Sequence, residues 1–275
     1  MVLAQDAPRM DRDVFRRFCQ LVHRHAGIRL KEGKEALVCA RLNKRMRALG
    51  LTRFRDYLSL LEQDAGGSEV VQFLDLMSTN YTTFFREREH YDVLAEALRQ
   101  WRGAGQRRFR IWSAACATGE EPYSIAMTMA QVCDDPSLDW RILATDISTR
   151  ALRHARRGRY HARAMRSVSR HERLRYFLAD DESDPPCWSI RPAIAARVVF
   201  ARLNLAVPPF PMRGPFDVIF CRNVMIYLDP EVRRALVSAL ETLLRPGGLL
   251  MVGHAESLAG LTSRLGMVHP STYRH

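Results

Sequence analysis

The sequence predicts an α/β protein: an N-terminal all-α helical domain, then a parallel, doubly wound sheet domain with a small inserted β-subdomain. Three observations point there. Residues 10–100 carry apolar side chains at helical spacing. From Phe109 short apolar runs, small-residue turns and amphipathic stretches alternate, as in a sheet built from strand–helix–strand units. The stretch from Tyr160 to Arg197 is too long for a simple crossover between two such strands.

In chain order, Val14, Phe15, Phe18, Cys19, Leu21 and Val22 mark a first helix. Leu37, Val38, Leu42, Met46 and Leu49 mark a second, ended by Gly50. Two shorter helices are expected over 53–62 and 68–78, separated by Asp64-Ala65-Gly66-Gly67, and another from about Glu87 to Trp101. Candidate strands are Arg110–Ser113, Trp140–Thr145, Val198–Leu203, Phe216–Cys221 and Gly248–Gly253, whose apolar runs suit burial on both faces. Helices at Glu121–Val132, Ser148–Arg156 and Pro230–Leu244 lie between them. Within the long stretch we expect a helix at Ser169–Phe177, an acidic, proline-bearing loop at 180–186 and a hairpin near Trp188–Ile190. The domains so defined are 1–78, a linker and connecting helix at 79–108, and 109–275, with the insertion at about 160–197.

Composition narrows the classes. With 47% hydrophobic and 26% charged residues over 275 positions, the chain is neither a fibre nor mainly disordered. No apolar run approaches the ~20 residues that cross a bilayer, and the N-terminus lacks the apolar core of a signal peptide, so a cytoplasmic protein without membrane insertion is expected. Cys19, Cys39, Cys116, Cys133, Cys187 and Cys221 form no CxxC pair, which fits neither zinc nor a disulfide framework. The net charge of +12 predicts an acidic partner without choosing which.

Two motifs carry chemistry. Ile111 to Ser124 sets a strand, a turn of small residues and a helix start in sequence, where a ligand can approach backbone and amides face its polar groups. It lacks both the GxGxxG fingerprint and a Walker lysine. Asp146 ends the second strand, where a carboxylate can accept from both hydroxyls of a ribose. Asn204 and Asn223 end the next two. Each has a plainer reading: a turn that binds nothing, an N-cap (though Ser148 can cap instead, freeing Asp146), two turn formers. Their recurrence at four strand ends favours a nucleoside-bearing ligand at the C-terminal edge of the sheet.

At this point the sequence resembles a known family, the CheR-type chemotaxis receptor methyltransferases. The resemblance lies in Thr79-Asn80-Tyr81-Thr82-Thr83-Phe84-Phe85-Arg86-Glu87, Ser113–Ser124, Ala144-Thr145-Asp146-Ile147, Phe216 through Cys221-Arg222-Asn223-Val224-Met225-Ile226-Tyr227, and Gly253-His254-Ala255-Glu256-Ser257. It implies a Rossmann-like class I S-adenosylmethionine-dependent methyltransferase domain, methyl transfer to receptor glutamates, and S-adenosylhomocysteine as product. It implies that Asn80, Thr82 and Arg86 contact the cofactor, with Arg86 on the methionine carboxylate. Glu121 is implied on the methionine amino group, Asp146 on the ribose, Asn204 and Leu205 at the adenine, and Asn223 and Val224 toward the reacting end. Tyr227 is implied over the transferred methyl, and Arg222 is a candidate for steering the substrate carboxylate or for a structural role. Phe84 and Phe85 read as core.

The nucleophile implied is a glutamate carboxylate, ionised at pH 7 from a reference pKa of about 4.3, so neither a general base nor a metal is expected. The acidic partner becomes the glutamate-rich cytoplasmic methylation helix of a chemoreceptor. Arg41, Lys44 and Arg45 share one helical face and are candidates for docking it, against the plainer reading of a solvated basic face. In some members of the family the inserted subdomain holds a receptor C-terminal peptide tail by strand addition; here its loop is acidic and lacks glycine, unlike tail binders. Two other classes were weighed. A nucleic-acid methyltransferase acting on exocyclic amines would show prolines after the fourth strand, where this chain has Asn223-Val224-Met225-Ile226-Tyr227, so no nucleic-acid partner is expected. A non-catalytic module that binds S-adenosylmethionine or another nucleotide would share the same cofactor residues.

Overall fold

The computed structural model describes residues 10–64, 66–180, 185–261 and 264–275. The chain divides into two compact units: one runs to Thr79 and takes in Tyr227–Asp229, and the other comprises Asn80–Ile226 and Pro230–His275.

The first unit holds α1 (Arg12–Ala26), α2 (Glu35–Ala48), α3 (Phe54–Gln63) and α4 (Ser68–Met77). They bury apolar residues at the helical period: Phe15, Phe18 and Val22 from α1, Leu42 and Met46 from α2, Tyr57 and Leu61 from α3, Phe73 and Leu74 from α4, while Leu37, expected in the α2 stripe, is 42% exposed. Phe18, Tyr57 and Phe73 meet as an aromatic trio with centroids 5.8–6.4 Å apart. Gly50 follows α2 in the left-handed conformation that lets the chain turn away. Asp64 accepts the backbone N–H groups of Glu69 and Val70, capping the entry to α4. After α1 the backbone of Ile28 bridges Leu228, Arg29 N–H donates to the Tyr227 carbonyl (2.8 Å), and His23 bonds Asp229.

The second unit opens with α5 (Glu89–Gly103), so residues 80–108, expected as a linker and connecting helix, are built into this unit. Phe84, Leu94 and Leu98 are wholly buried in its core. There follow β1 (Arg108–Ser113), α6 (Glu120–Val132), β2 (Asp139–Asp146), α7 (Thr149–Arg157), β3 (Arg159–His161), α8 (Arg170–Tyr176), β4 (Phe177–Asp180), β5 (Cys187–Ile190), α9 (Pro192–Ala195), β6 (Val198–Arg202), β7 (Phe216–Cys221), α10 (Pro230–Leu243), β8 (Leu244–Val252), β9 (Gly266–His269) and β10 (Thr272–Arg274). The main sheet has the order β6-β2-β1-β7-β8-β10-β9. The five strands read from the sequence pair in parallel. The wholly parallel expectation is corrected at one edge, where β10 and β9 run antiparallel. Those strands are three and four residues long, and all four residues of β9 are exposed, so neither alternation nor an apolar run announced them. The insertion is a three-stranded antiparallel sheet, β3-β5-β4, rather than a single hairpin. Most of the acidic loop expected at 180–186 lies outside the described residues. Among the described residues no helix is long and apolar enough to cross a membrane.

Candidate active site

In the second unit, β6, β2, β1 and β7 end at one edge of the sheet. The loop after β1 is fastened to its neighbours: Ala114 N–H donates to the Phe220 carbonyl (2.8 Å) and Cys116 N–H to that of Thr145 (2.9 Å). Gly119 has φ of +100°, and a Cβ there would lie 2.7 Å from Tyr160 Oη and 2.8 Å from Ala155 Cβ, so no other residue fits. Tyr160, from the insertion, donates its hydroxyl to the Thr118 carbonyl at 2.9 Å.

Asp146 is 8% exposed at the end of β2. Ser148 caps α7 by accepting from Ala151 N–H, as the sequence suggested. Asp146 is not thereby freed, which corrects that expectation. Its Oδ2 accepts Ala117 N–H (2.9 Å) and its Oδ1 accepts Ser148 N–H (2.8 Å). A carboxylate here is an acceptor only, which suits the hydroxyl donors of a ribose. Asn80 Nδ2 donates to Ser148 Oγ at 3.3 Å, bringing it to the same corner.

The second centre is a buried charge cluster. Arg222, 1% exposed in its side chain, donates to Glu87 Oε2 (2.9 Å), Glu121 Oε2 (3.1 Å), Tyr91 Oη (3.3 Å) and the Arg86 carbonyl. Glu121 also accepts from Ser113 Oγ at 2.7 Å. Glu87 also lies 4.0 Å from Arg86 Nε, so the two carboxylates are set among two guanidiniums, and Glu121 has only its share of Arg222. Burial pushes the Glu121 carboxyl above the usual range, and the Arg222 charge and the Ser113 bond do not fully offset it. Burial acts the same way on Glu87, but there the hydrogen bond and charge of Arg222 prevail and hold it low. This placement corrects the idea that Arg222 steers substrate: its donors are engaged inside the protein, in the structural role that the sequence left open.

The remaining predicted residues fall as follows. Arg86 is half-buried, donates to the Tyr81 carbonyl at 3.3 Å and lies 6.0 Å from the Tyr81 ring centroid. Thr82 and Val224 are half-buried. Asn204 Oδ1 accepts Ala206 N–H at 3.1 Å, the turn-forming contact, and Leu205 is buried beside it. Tyr227 is 37% exposed and belongs to the helical unit. Of the three docking candidates on α2 only Lys44 is exposed. Arg41 donates to the Met77 carbonyl and Thr79 Oγ1, and Arg45 Nε donates to Glu69 (3.0 Å), so two of the three docking candidates are held inside their own unit.

Glu87, His254 and Glu256 stand inside the family motifs with no role implied for them, and His90 stands just outside. Glu87, His90 and His254 bring ligand-type atoms within 4.8 Å of one another, which bears on the expectation of no metal. The one signal for them was the recurrence of charged and imidazole side chains just after Arg86 and just after β8.

A strand-end cradle, a carboxylate after β2 and a buried acidic cluster on a seven-stranded sheet define a Rossmann-like S-adenosylmethionine-dependent methyltransferase. Residues 80–274 match the family described as "CheR methyltransferase, SAM binding domain", and residues 13–78 match its all-alpha domain. The chain belongs to the CheR methyltransferase family. It is 40% identical over 259 residues to the chemotaxis protein methyltransferase of Escherichia coli, covering 94% of this chain and 89% of that one. It is 39% identical to the Salmonella typhimurium protein of the same name, covering 94% and 88%. It is 33% identical to that of Borreliella burgdorferi, covering 96% and 94%.

Proposed function

We propose that this protein methylates side-chain carboxylates of specific glutamates on the cytoplasmic helices of chemoreceptors, as a protein-glutamate O-methyltransferase, releasing S-adenosylhomocysteine. The observation that carries it is the match of both family domains, in order, across residues 13–78 and 80–274.

Bound S-adenosylmethionine supplies a methyl group on a positively charged sulfonium. The chain's residues fit it: Glu121, whose partner Arg222 is shared with Glu87, suits an ammonium, and Gly119 keeps the cradle loop clear of side chain. Glu121 receives the amino group, Arg86 the carboxylate, and Asp146 the ribose with Asn80 and Thr82 beside it. Asn204 and Leu205 flank the adenine, and Asn223 and Val224 line the methionine end. Tyr227 orients the reacting end. Catalysis is alignment of a carboxylate that is already ionised together with exclusion of water, and orientation alone can supply several kcal/mol. Lys44, with the outer surfaces of Arg41 and Arg45, meets the acidic receptor helix. The acidic, glycine-free sequence at 180–186 argues against a receptor C-terminal tail adding to the β3-β5-β4 sheet. No metal takes part, and the enzyme acts in the cytoplasm at receptor arrays.

The test uses radiolabelled S-adenosylmethionine and chemoreceptor-bearing membranes. Base-labile label on receptor, retained in EDTA and lost in Asp146→Ala, is expected. Cofactor binding without receptor label would favour the non-catalytic reading, and EDTA-sensitive label would overturn the metal-free one.

A further inference from the structure

The loops after β7 and β8 meet at one side chain. Glu256 is 7% exposed. Its Oε2 accepts the N–H groups of Asn223 (2.7 Å) and Gly253 (2.6 Å), and its Oε1 accepts that of Met225 (2.7 Å). Its own N–H donates to the Gly253 carbonyl at 2.8 Å, closing a tight turn that aims the carboxylate back at the first loop. Asn223 has φ of +58°, a conformation that costs a non-glycine residue energy unless neighbours hold it. A Cβ at Gly253 would lie 2.3 Å from Asn223 Nδ2, so the asparagine side chain packs flat against bare backbone. Its Nδ2 lies 3.4 Å from Glu87 Oε1. One carboxylate therefore fixes both the strained backbone and, through Gly253, the side-chain position of Asn223.

We infer that Glu256 is a positioning residue of the cofactor site: it touches neither cofactor nor substrate, and it holds Asn223 and Val224 in the geometry that binds the methionine end. This rests on the cofactor role assigned to Asn223 above. A carboxylate offers both oxygens to the three N–H groups, and a carboxamide can accept with one oxygen only.

Binding, not turnover, is the readout, so the inference is tested whether or not the receptor assignment holds. S-adenosylhomocysteine is titrated calorimetrically into wild type, Glu256→Gln, Asn223→Ala and the double variant. Glu256→Gln is expected to weaken binding by about 10- to 100-fold, the scale of charge-assisted hydrogen bonds. If Glu256 acts through Asn223, the double variant binds within about threefold of the weaker single one. Multiplicative losses, or Glu256→Gln within threefold of wild type, would overturn the inference. Should Glu256→Gln not fold, Gly253→Ala takes its place, since it leaves the carboxylate intact and drives a methyl group into Asn223; unchanged affinity there would equally overturn it. With active receptor, the KM for receptor should stay within twofold while that for cofactor rises.

Discussion

Arg45 with Glu69 in the helical unit and Arg222 with Glu87 and Glu121 in the second are both arginine–carboxylate clusters, and they are built differently. In the helical unit Arg45 meets Glu69, which also accepts the Tyr57 hydroxyl at 2.7 Å. One cation faces one anion, the Arg45 side chain is 32% exposed, and the cluster is complete in itself. In the second unit Arg222 is 1% exposed and faces two carboxylates. Glu87 also lies 4.0 Å from Arg86 Nε, and Glu121 is left with only its share of Arg222. The helical cluster pairs one cation with one carboxylate, whereas the second divides one buried cation between two.

The largest effect expected is on Arg222. Arg222→Ala leaves Glu87 and Glu121 buried without their cation, so chemical denaturation should show a loss of about 3–5 kcal/mol. Arg45→Ala, at a partly exposed pair whose carboxylate keeps the Tyr57 bond, should lose only about 1–2 kcal/mol. Equal losses would break the contrast.

Next comes pH. The His90 ring is 1% exposed and its nitrogens make no hydrogen bond among the described residues. Burial first, then the Arg222 charge, pushes its pKa down to about 4. An unfolded histidine takes its proton near 6.5, so between about 4 and 6.5 the unfolded chain binds more protons. Stability from this residue is therefore complete above about 6.5 and lost as pH falls toward 4, by roughly 2–3 kcal/mol. Urea midpoints from pH 4.5 to 7 should show it, with a shallower slope in His90→Phe.

Glu121→Gln sharpens the contrast, because it removes the carboxylate that has only a share of Arg222 and leaves Arg222 with Glu87. The thermal midpoint should hold or rise while affinity for S-adenosylhomocysteine falls about tenfold. Parallel losses would mean that the second carboxylate serves the fold. The smallest effect belongs to the exposed pair Arg17–Glu62, 2.6 Å apart, where Arg17→Ala should cost under about 1 kcal/mol.

Much of this was legible in the sequence where the physics is local. Strand β7 shows as an almost unbroken apolar run because both its faces are covered, and Asp146 and Asn223 could be placed by counting to strand ends. What escaped depends on contacts between distant positions. Arg222 next to a strand end reads as a binding residue; only its bonds to Glu87, 135 positions away, and Glu121, 101 away, turn it inward. Arg45 reads as a free surface charge until Glu69 is seen beside it. Glu256 grips Asn223 across 33 positions, and no periodicity announces that.

The three residues Tyr227–Asp229 carry a consequence for heredity. The chain passes between the units at three places rather than one, so the helical unit is not a cassette that a single recombination could lift out whole. A gene segment coding for residues 1–79 alone would leave Arg29 N–H without the Tyr227 carbonyl, Ile28 without Leu228 and His23 without Asp229. The two units interleave in sequence, and they are expected to have been inherited together.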